Sequence, residues 1–352
     1  SNNYLGLAND NRVKLKALQA ILDFGLSMCA TPIAGGYCKL LNEAEKRLSL
    51  FTGVEDCVLF PSCYHANLAL FQTIVRKNDL ILVDHYAHSS LVQGIRCSGV
   101  KFRPFLHNNI ENLESVLSGS GTYDQVFVVT ESVFSTEGTI APLQEMNLLC
   151  DKYNAVFVVD DSHGIGVIGN MGKGAVSMMP GFGGIVTASL GKALAGSGGM
   201  IGTSSKLMEY FRYYCPQLVY STAIVPPVLG GILAVLDIIE QEYESIAEKM
   251  YGYKRRIEKA LDDNGFVTIK NRTPVISVAS GDSVQTINLS CAFHRKKILT
   301  TPFVHPSVPE KHGRLRLIPG ANLKEETIDK VINLIPEIAS DIKNRMPQNC
   351  KS

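Results

Sequence analysis

The chain has 352 residues, of which 45% are hydrophobic and 19% charged, so it can bury the cores of one large domain and a smaller one. Its formal net charge of +1 argues against a protein that binds nucleic acid or a membrane surface. The nine cysteines are odd in number and form no CxxC pair, which favours reduced thiols in a cytoplasmic protein over disulfides or a metal site.

The start of the chain and its apolar segments are informative about targeting signals and membrane spans. Because the first residue is Ser1 and not a methionine, we expect an N-terminal piece to be missing. No signal peptide and no apolar run of membrane-spanning length is visible, so we expect no membrane span.

Helices and strands are predicted to alternate over the first part of the chain. Apolar spacing predicts helices over 13–24, 43–51, 62–76, 110–117 and 142–153, and strands over 57–60, 80–84, 100–105, 125–130, 155–159, 185–189 and 199–203. This alternation favours an α/β domain built on a mostly parallel sheet.

The character of the sequence changes after this sheet. A long helix is predicted from 226 to about 261, followed by strands over 274–279 and 314–318 and helices over 284–294 and 325–344. These elements predict a smaller α+β domain. We therefore divide the chain into an N-terminal segment (1–40), a large domain (41–225), a connecting helix (226–260) and a small domain (261–352).

Lys192 stands among small residues directly after the predicted strand over 185–189. Glycines on both sides allow the backbone to turn tightly and to approach a ligand, and no acid close in sequence can pair with the ammonium group. A lysine that loses its hydration there can attack a carbonyl as the neutral amine. Taken alone, a solvated lysine at a strand end is the commoner case, so Lys192 needs support from other residues.

Polar side chains follow several other predicted strands. Asp160 and His163 follow the apolar strand over 155–159, Glu131 ends another strand, and His88 follows a third. Ligands of parallel α/β sheets sit at this edge, so a functional role for Asp160 is favoured over capping. At Ser62, which precedes a helix, a phosphate site and an ordinary helix cap are equally supported.

These residue types together match the needs of pyridoxal 5'-phosphate. Its aldehyde needs a lysine, its pyridine nitrogen needs a carboxylate, its ring needs an aromatic partner, and its phosphate needs hydroxyls and backbone amides. The sequence therefore predicts this cofactor and no metal.

The sequence resembles the α-oxoamine synthases, a branch of the fold-type I pyridoxal-phosphate enzymes, over nearly the whole chain. The segments that carry the resemblance most specifically are 130–135, 159–166, 189–194 and 220–222. The resemblance implies a fold-type I transferase of the acyltransferase type. Its reaction would be the decarboxylative condensation of an amino acid with an acyl thioester such as acyl-CoA, giving an α-amino ketone, CO2 and the free thiol.

The resemblance also implies roles for the residues around the cofactor ring. Lys192 would form the Schiff base and move protons at the substrate α-carbon, while Asp160 would pair with the pyridine nitrogen. His163 would bond the ring hydroxyl, and His88, not His85, would stack on the ring. The resemblance places further residues around the cofactor, namely Ser62, Cys63, Tyr64, Glu131, Ser135 and Ser189.

Other residues are implied to serve a second subunit or the substrate. Ser221 and Thr222 would reach the phosphate of the neighbouring subunit, which predicts a homodimer with shared active sites. Asn2 and Arg316 would hold the carboxylate of the amino acid, because an arginine matches that group with two parallel hydrogen bonds. Ser307 is a weaker candidate for substrate contact.

Departures from the family pattern leave the substrate open. Ser-Met-Cys-Ala at 27–30 replaces a glycine-rich turn, Leu41 stands where many relatives carry a histidine, and the usual histidine is absent from 319–322. The family makes 8-amino-7-oxononanoate, 2-amino-3-ketobutyrate, 5-aminolevulinate and 3-ketosphinganine, and general similarity favours the first two. An aminotransferase or lyase of the same fold and a non-catalytic partner subunit also stay open, although the presence of Lys192 and Asp160 argues against the latter.

Overall fold

A computed structural model describes residues 1–345. Within them the chain forms two compact units. The large unit comprises residues 6–134 and 140–243, and the small unit comprises residues 1–5, 135–139 and those from 244 onward. This division differs from the predicted one. Residues 1–5 and 135–139 belong to the small unit, residues 6–40 belong to the large unit, and the boundary falls inside the long predicted helix.

The large unit contains eight helices and seven strands among the described residues. The helices are α1 (Asn11–Phe24), α2 (Lys39–Thr52), α3 (Cys63–Ile74), α4 (Ser89–Ser98), α5 (Ile110–Ser118), α6 (Leu143–Lys152), α7 (Ser205–Tyr214) and α8 (Pro216–Val219), and α9 (Pro226–Asp263) begins in this unit and ends in the other. The strands are β1 (Asp56–Phe60), β2 (Leu80–Asp84), β3 (Lys101–Phe105), β4 (Val126–Glu131), β5 (Val156–Asp160), β6 (Ile185–Ser189) and β7 (Gly199–Thr203).

These strands form one sheet in the order β1-β7-β6-β5-β4-β2-β3, in which only β7 runs antiparallel to its neighbours. Side chains alternate between two buried faces: Leu80 and Leu82 pack in one apolar cluster, and Ile81 and Val83 pack in another. A strand that is buried on both faces has a continuous apolar run instead of an alternating pattern. The predicted α/β class with a mostly parallel sheet is therefore confirmed.

The small unit is built on an antiparallel sheet. Its strands are β8 (Thr268–Ile269), β9 (Ile276–Gly281), β10 (Thr301–Phe303) and β11 (Gly313–Leu317), in the order β10-β11-β9-β8, and its helices are α10 (Ser283–Arg295) and α11 (Glu325–Arg345). Apolar side chains of β9 and β11 pack with Phe293 of α10 in one core. Asp282 caps α10 by accepting the backbone N–H of Gln285, whose side chain returns to the Asp282 backbone.

Most predicted elements form within one or two residues of their expected bounds, but three helices of the large unit, α4, α7 and α8, are not among the predicted ones. In α4 the pattern is interrupted by Gly94, which lowers helix propensity. The structure explains this glycine, because a Cβ built there would lie 2.4 Å from the backbone oxygen of Asn67. Helices α3 and α4 therefore pack with their backbones in close approach.

The structure shows the state of the cysteines and the apolar content of the helices within residues 1–345. Eight cysteines lie there and all are free thiols, while Cys350 lies outside the described range. Between residues 1 and 345 no helix has the length and apolar content that crossing a bilayer requires.

Replacing Gly94 by alanine is expected to lower the free energy of unfolding by about 1–3 kcal/mol, because the new methyl group meets backbone that cannot move aside. The matched control is Gly252→Ala in α9, where only a side-chain atom of Arg255 comes as near as 4.0 Å. There alanine should stabilise by about 0.5–1 kcal/mol through helix propensity. Urea unfolding of both variants measures the difference, and equal stabilities would contradict the close packing of α3 on α4.

Candidate active site

Two buried carboxyl groups mark the carboxyl edge of the parallel sheet. Glu131 ends β4 and Asp160 ends β5, and the two residues are paired neighbours across these strands. Their relative exposures are 4% and 3%. Burying two ionised carboxylates side by side would cost much free energy, so the surroundings of the two acids must differ.

Asp160 is held by donors that suit an ionised carboxylate. Its Oδ2 accepts a hydrogen bond from Asn67 Nδ2 at 2.8 Å, and its Oδ1 accepts one from the backbone N–H of Ser162 at 2.9 Å. Because both oxygens have donors, the carboxylate has a fixed orientation and can carry the negative charge of the pair.

Glu131 is in the opposite situation. Its Oε1 accepts one hydrogen bond, from the backbone N–H of His88 at 2.7 Å. Burial, and after it the negative charge of Asp160, raise the pKa of Glu131 well above its ordinary value. The donors around the pair therefore favour the negative charge on Asp160 over Glu131.

Lys192 lies near both acids without pairing to either. It is partly buried in the turn after β6, and among residues 1–345 no carboxylate forms an ion pair with its amine. Its positive charge nevertheless acts on Cys63, His88 and Glu131 together with the charge of Asp160. The structure thus brings Lys192 and Asp160 into one cluster, as the sequence predicts.

The turn that carries Lys192 depends on close backbone contacts. Ala195 and Gly198 both have positive φ, at 55° and 111°. A Cβ at Gly198 would lie 2.7 Å from the backbone oxygen of Phe60, at the end of β1. This glycine therefore lets the loop pass directly over the sheet edge.

His88 forms the N-cap of α4. Its Nδ1 lies 3.2 Å from the backbone nitrogen of Ser90 and 2.8 Å from Ser90 Oγ. The residue is exposed. Desolvation by the surrounding chain, and after it the positive charge of Lys192, lower the pKa of His88 against the opposing influence of Asp160. An open aromatic ring thus stands beside the charged cluster.

The beginning of α3 borders the same cluster. Ser62 caps this helix by accepting the backbone N–H of His65, and Cys63 Sγ lies 3.3 Å from Ser162 Oγ. Burial raises the pKa of the Cys63 thiol, so it is a neutral group here. Tyr64, which follows, is 48% exposed. The first N–H groups of α3 are positioned to bind an anion.

The other predicted cofactor residues of the large unit lie in the turn after β5, at the end of β6 and beside a cavity. His163 is buried in the turn after β5, and Ser189 Oγ accepts the backbone N–H of Gly191 at 3.3 Å. Ser221 and Thr222 line a cavity of about 320 Å³ together with Pro61 and Ser197. Their predicted roles stay predictions.

The predicted substrate residues lie in the small unit. Arg316 of β11 is 8% exposed and donates from Nη1 to the backbone oxygen of Ser135 at 2.8 Å. Its guanidinium lies 4.9 Å from the centroid of the Phe303 ring, and its Nε is buried without a hydrogen-bond partner. Asn2 Oδ1 is likewise buried without a partner, whereas Ser307 is exposed.

An unpartnered guanidinium nitrogen in a buried position is costly unless a ligand supplies an acceptor. Burial also lowers the pKa of Arg316, which is the direction expected for a cation that lacks an anion beside it. Arg316 is therefore suited to bind a carboxylate.

Three residues of the cluster had no predicted role: Asn67, Ser90 and Ser162. The signal for Asn67 was its spacing, since Cys63 and Asn67 are one helical turn apart and share a face of α3. Ser90 and Ser162 follow His88 and Asp160 by two residues, a spacing that is common in turns and carries little information by itself.

Comparison with known proteins places this site in a family. The model of the class I and II aminotransferase family matches residues 1–335. An 8-amino-7-oxononanoate synthase of Maricaulis maris is 33% identical over 344 residues, which are 96% of this chain and 85% of the relative. The chain belongs to the α-oxoamine synthase family. It is therefore a pyridoxal-phosphate-dependent enzyme of the acyltransferase type.

Solved structures agree on the fold. Serine palmitoyltransferase of Sphingomonas wittichii matches with a TM-score of 0.91 and 24% identity, covering 98% of this chain and 87% of that one. The 8-amino-7-oxononanoate synthase of Francisella tularensis matches with a TM-score of 0.82 and 23% identity, covering 99% of this chain and 98% of that one. The fold-type I assignment is thereby confirmed.

The residues of this α-oxoamine synthase fit pyridoxal phosphate. One ionised carboxylate, Asp160, stands with a lysine that has no ion pair among the described residues, and an open imidazole ring, His88, lies beside them. The start of α3 adds backbone donors for a phosphate. The donor set matches an aldehyde, a pyridinium nitrogen, a flat ring and an anion.

A third acid of the site, Asp161, gives a pH prediction. Its Oδ1 lies 2.5 Å from Ser132 Oγ, its Oδ2 accepts the N–H of Ala175, and burial raises its pKa to about 7. Since the folded chain then holds this proton up to a higher pH than the unfolded chain does, the stability contributed by Asp161 falls as pH rises from about 4 to about 7.

Asp161→Asn is expected to remove this loss of stability while keeping both hydrogen bonds, because an amide has the shape and the polar atoms of the protonated acid. Urea unfolding at about pH 5 and about pH 8 should show a smaller difference in the variant than in the parent chain. The control is Asp151→Asn, at an exposed position of α6. An unchanged pH dependence in Asp161→Asn would contradict the assignment.

Proposed function

We propose that this α-oxoamine synthase joins the α-carbon of a small amino acid to the acyl carbon of a thioester. The new carbon–carbon bond forms as the carbon–sulfur bond breaks and the thiol leaves. The carboxyl group of the amino acid then departs as CO2, and a proton takes its place. The observation that carries the proposal is Lys192 without an ion pair among the described residues, in one cluster with the ionised Asp160.

Bound pyridoxal phosphate supplies an electron-accepting ring that stabilises negative charge at the substrate α-carbon. Asp160 would keep the pyridine nitrogen protonated through its negative charge. Burial raises the pKa of the neighbouring Glu131, so Asp160 is the better suited of the two acids to this role. We assign His163 to the ring hydroxyl and His88 to the face of the ring.

Lys192 is the group that moves protons at the α-carbon. Since no carboxylate of the described chain pairs with its amine, the amine has no competing partner and can take a proton from the substrate. The turn through Gly198 passes over the sheet edge, where Lys192 would reach the substrate α-carbon.

We assign the phosphate of the cofactor to the start of α3 and to the hydroxyl of Ser189. The side chains of Ser62, Cys63 and Tyr64 would border it, and the helix N–H groups would bind its charge. Ser221 and Thr222 would contribute to the site of a second subunit, which makes the active unit a homodimer.

Exposed apolar side chains support the homodimer. Leu15, Leu18 and Leu22 occupy one face of α1 at helical spacing and are 64%, 51% and 72% exposed, and Leu26 follows at 71%. The helix itself was predicted, but these leucines face outward and not into the core of their unit. A row of exposed leucines on a single chain indicates a surface that another chain covers.

The homodimer proposal predicts that Leu18→Glu weakens association, because the charge would have to lose its water in the interface. Sedimentation equilibrium should give twice the chain mass for the parent protein and a mass shifted toward one chain for the variant. Leu299→Glu, at a 79% exposed position of the small unit, is the control that should remain dimeric. A monomeric parent protein would overturn the proposal.

For the amino-acid carboxylate we assign Arg316, whose buried Nε lacks an acceptor, together with Asn2. Ser135, whose backbone oxygen already holds Nη1 of Arg316, orients the guanidinium. Ser307 is exposed and is a secondary candidate for substrate contact.

Lys192→Ala is expected to lose thiol release by a factor of about 10³ or more, because the variant lacks the base at the α-carbon. The assay follows free thiol and CO2 with glycine, alanine and serine against short and long acyl thioesters, carried on coenzyme A or a carrier protein. Lys173→Ala, an exposed lysine, is the control that should keep full activity.

In the same assay Arg316→Ala should raise KM for the amino acid more than it lowers kcat, since it removes a binding contact. Arg272→Ala, at an exposed arginine of the same unit, should change neither. Conversion of the cofactor to its amine form by an amino acid alone, with no need for a thioester, would favour an aminotransferase and overturn the proposed reaction.

A further inference from the structure

Asp160 and His88 are joined by a continuous chain of hydrogen bonds through two buried side chains. Asn67 Nδ2 donates to Asp160 Oδ2 at 2.8 Å and to Ser90 Oγ at 2.9 Å. Ser90 Oγ in turn lies 2.8 Å from His88 Nδ1. Asn67 is fully buried and Ser90 is 2% exposed, so water does not compete for these contacts.

The orientation of the Asn67 amide follows from its surroundings. If the amide were turned over, its oxygen would face the carboxylate of Asp160, and two acceptors would repel each other. The nitrogen therefore faces Asp160 and uses both of its hydrogens, one on Asp160 and one on Ser90.

This orientation determines where the hydroxyl hydrogen of Ser90 goes. Since Ser90 Oγ accepts from Asn67, its own hydrogen remains for His88 Nδ1. The backbone N–H of Ser90 also points at Nδ1, at 3.2 Å, and an N–H can only donate. Nδ1 thus receives two hydrogen bonds and carries no proton. The proton of the neutral ring must be on Nε2.

Charged groups around the ring do not reverse this assignment. Asp160 favours a charged imidazole and Lys192 opposes it, while Glu131 and Cys63 are neutral here. A charged ring would place a hydrogen on Nδ1 against the N–H of Ser90, which the backbone of α4 cannot turn away.

We propose that Asn67 and Ser90 are positioning residues that hold His88 as the neutral tautomer with its proton on Nε2, so that the ring offers a hydrogen-bond donor to an oxygen of the bound substrate. The use of Nε2–H rests on the proposed function, but the tautomer does not. Because one amide nitrogen serves both groups, the orientation of Asp160 and the tautomer of His88 are set together.

The test uses the holoenzyme with ¹⁵N-labelled histidine, and His88→Gln serves only to identify the resonances of His88. In the parent enzyme Nδ1 should resonate as an unprotonated nitrogen and Nε2 should be coupled to a proton across the neutral pH range. A protonated Nδ1 in the parent enzyme would overturn the inference without any variant being needed.

Ser90→Ala removes the hydroxyl donor but keeps the backbone donor. In this variant Nδ1 of His88 should be partly protonated. The pKa of His88, read from the same resonance, should rise by about half to one unit, which corresponds to the free energy of one neutral hydrogen bond. The acid limb of kcat/KM should move to higher pH by the same amount. Ser89→Ala, which removes the exposed neighbouring hydroxyl, should leave the tautomer and the limb unchanged.

Asn67→Asp is a second variant, in which the hydrogen bonds between position 67 and His88 should run in the opposite direction. The new carboxyl group holds a proton toward Asp160, and its other oxygen accepts the hydroxyl hydrogen of Ser90. The oxygen of Ser90 can then accept from a protonated Nδ1, so His88 should favour that form. If Ser90 were only a packing residue, Ser90→Ala would lower activity equally at every pH without moving the limb, and this would overturn the inference. An unprotonated Nδ1 in an enzyme that releases no thiol would instead overturn the proposed reaction alone.

Discussion

The site depends on one electrostatic constraint, the presence of a single negative charge on two adjacent buried carboxyl groups. Glu131 and Asp160 end neighbouring strands of a parallel sheet, and the interior cannot accommodate two carboxylates side by side. The two are distinguished by their donors, since Asp160 receives two hydrogen bonds and Glu131 only one. These donors favour the charge on Asp160 before any ligand arrives.

This assignment links the site to the packing of two helices. The amide that holds Asp160 comes from α3, and the serine that continues the chain of hydrogen bonds comes from α4. The two helices can bring these side chains together only because Gly94 lets their backbones meet. Gly94 takes part in no chemistry, but the charge distribution at the sheet edge depends on its lack of a side chain.

The sequence was sufficient to bring together the residues that stand at strand ends. Asp160 ends β5 and Lys192 follows β6 by three residues, and parallel strands bring such residues to one edge. The α/β class followed from the same alternation. Asn67 and Ser90 could not be found this way, because their partners come from different elements and their meeting depends on the packing of α3 against α4. The outward direction of Leu18 was also hidden, since periodicity predicts a helix but not what covers its apolar face.

The way the small unit is assembled from the chain has a consequence for biosynthesis. Tyr4 is fully buried in this unit, and its backbone oxygen accepts the N–H of Ala321, which comes much later in the sequence. On the ribosome residues 1–5 therefore wait for their partners until the segment around Ala321 has emerged. The large unit can fold meanwhile, but the guanidinium of Arg316 and its surroundings are completed only after β11 has been made. Until then Tyr4 lacks its burial site and stays exposed to water.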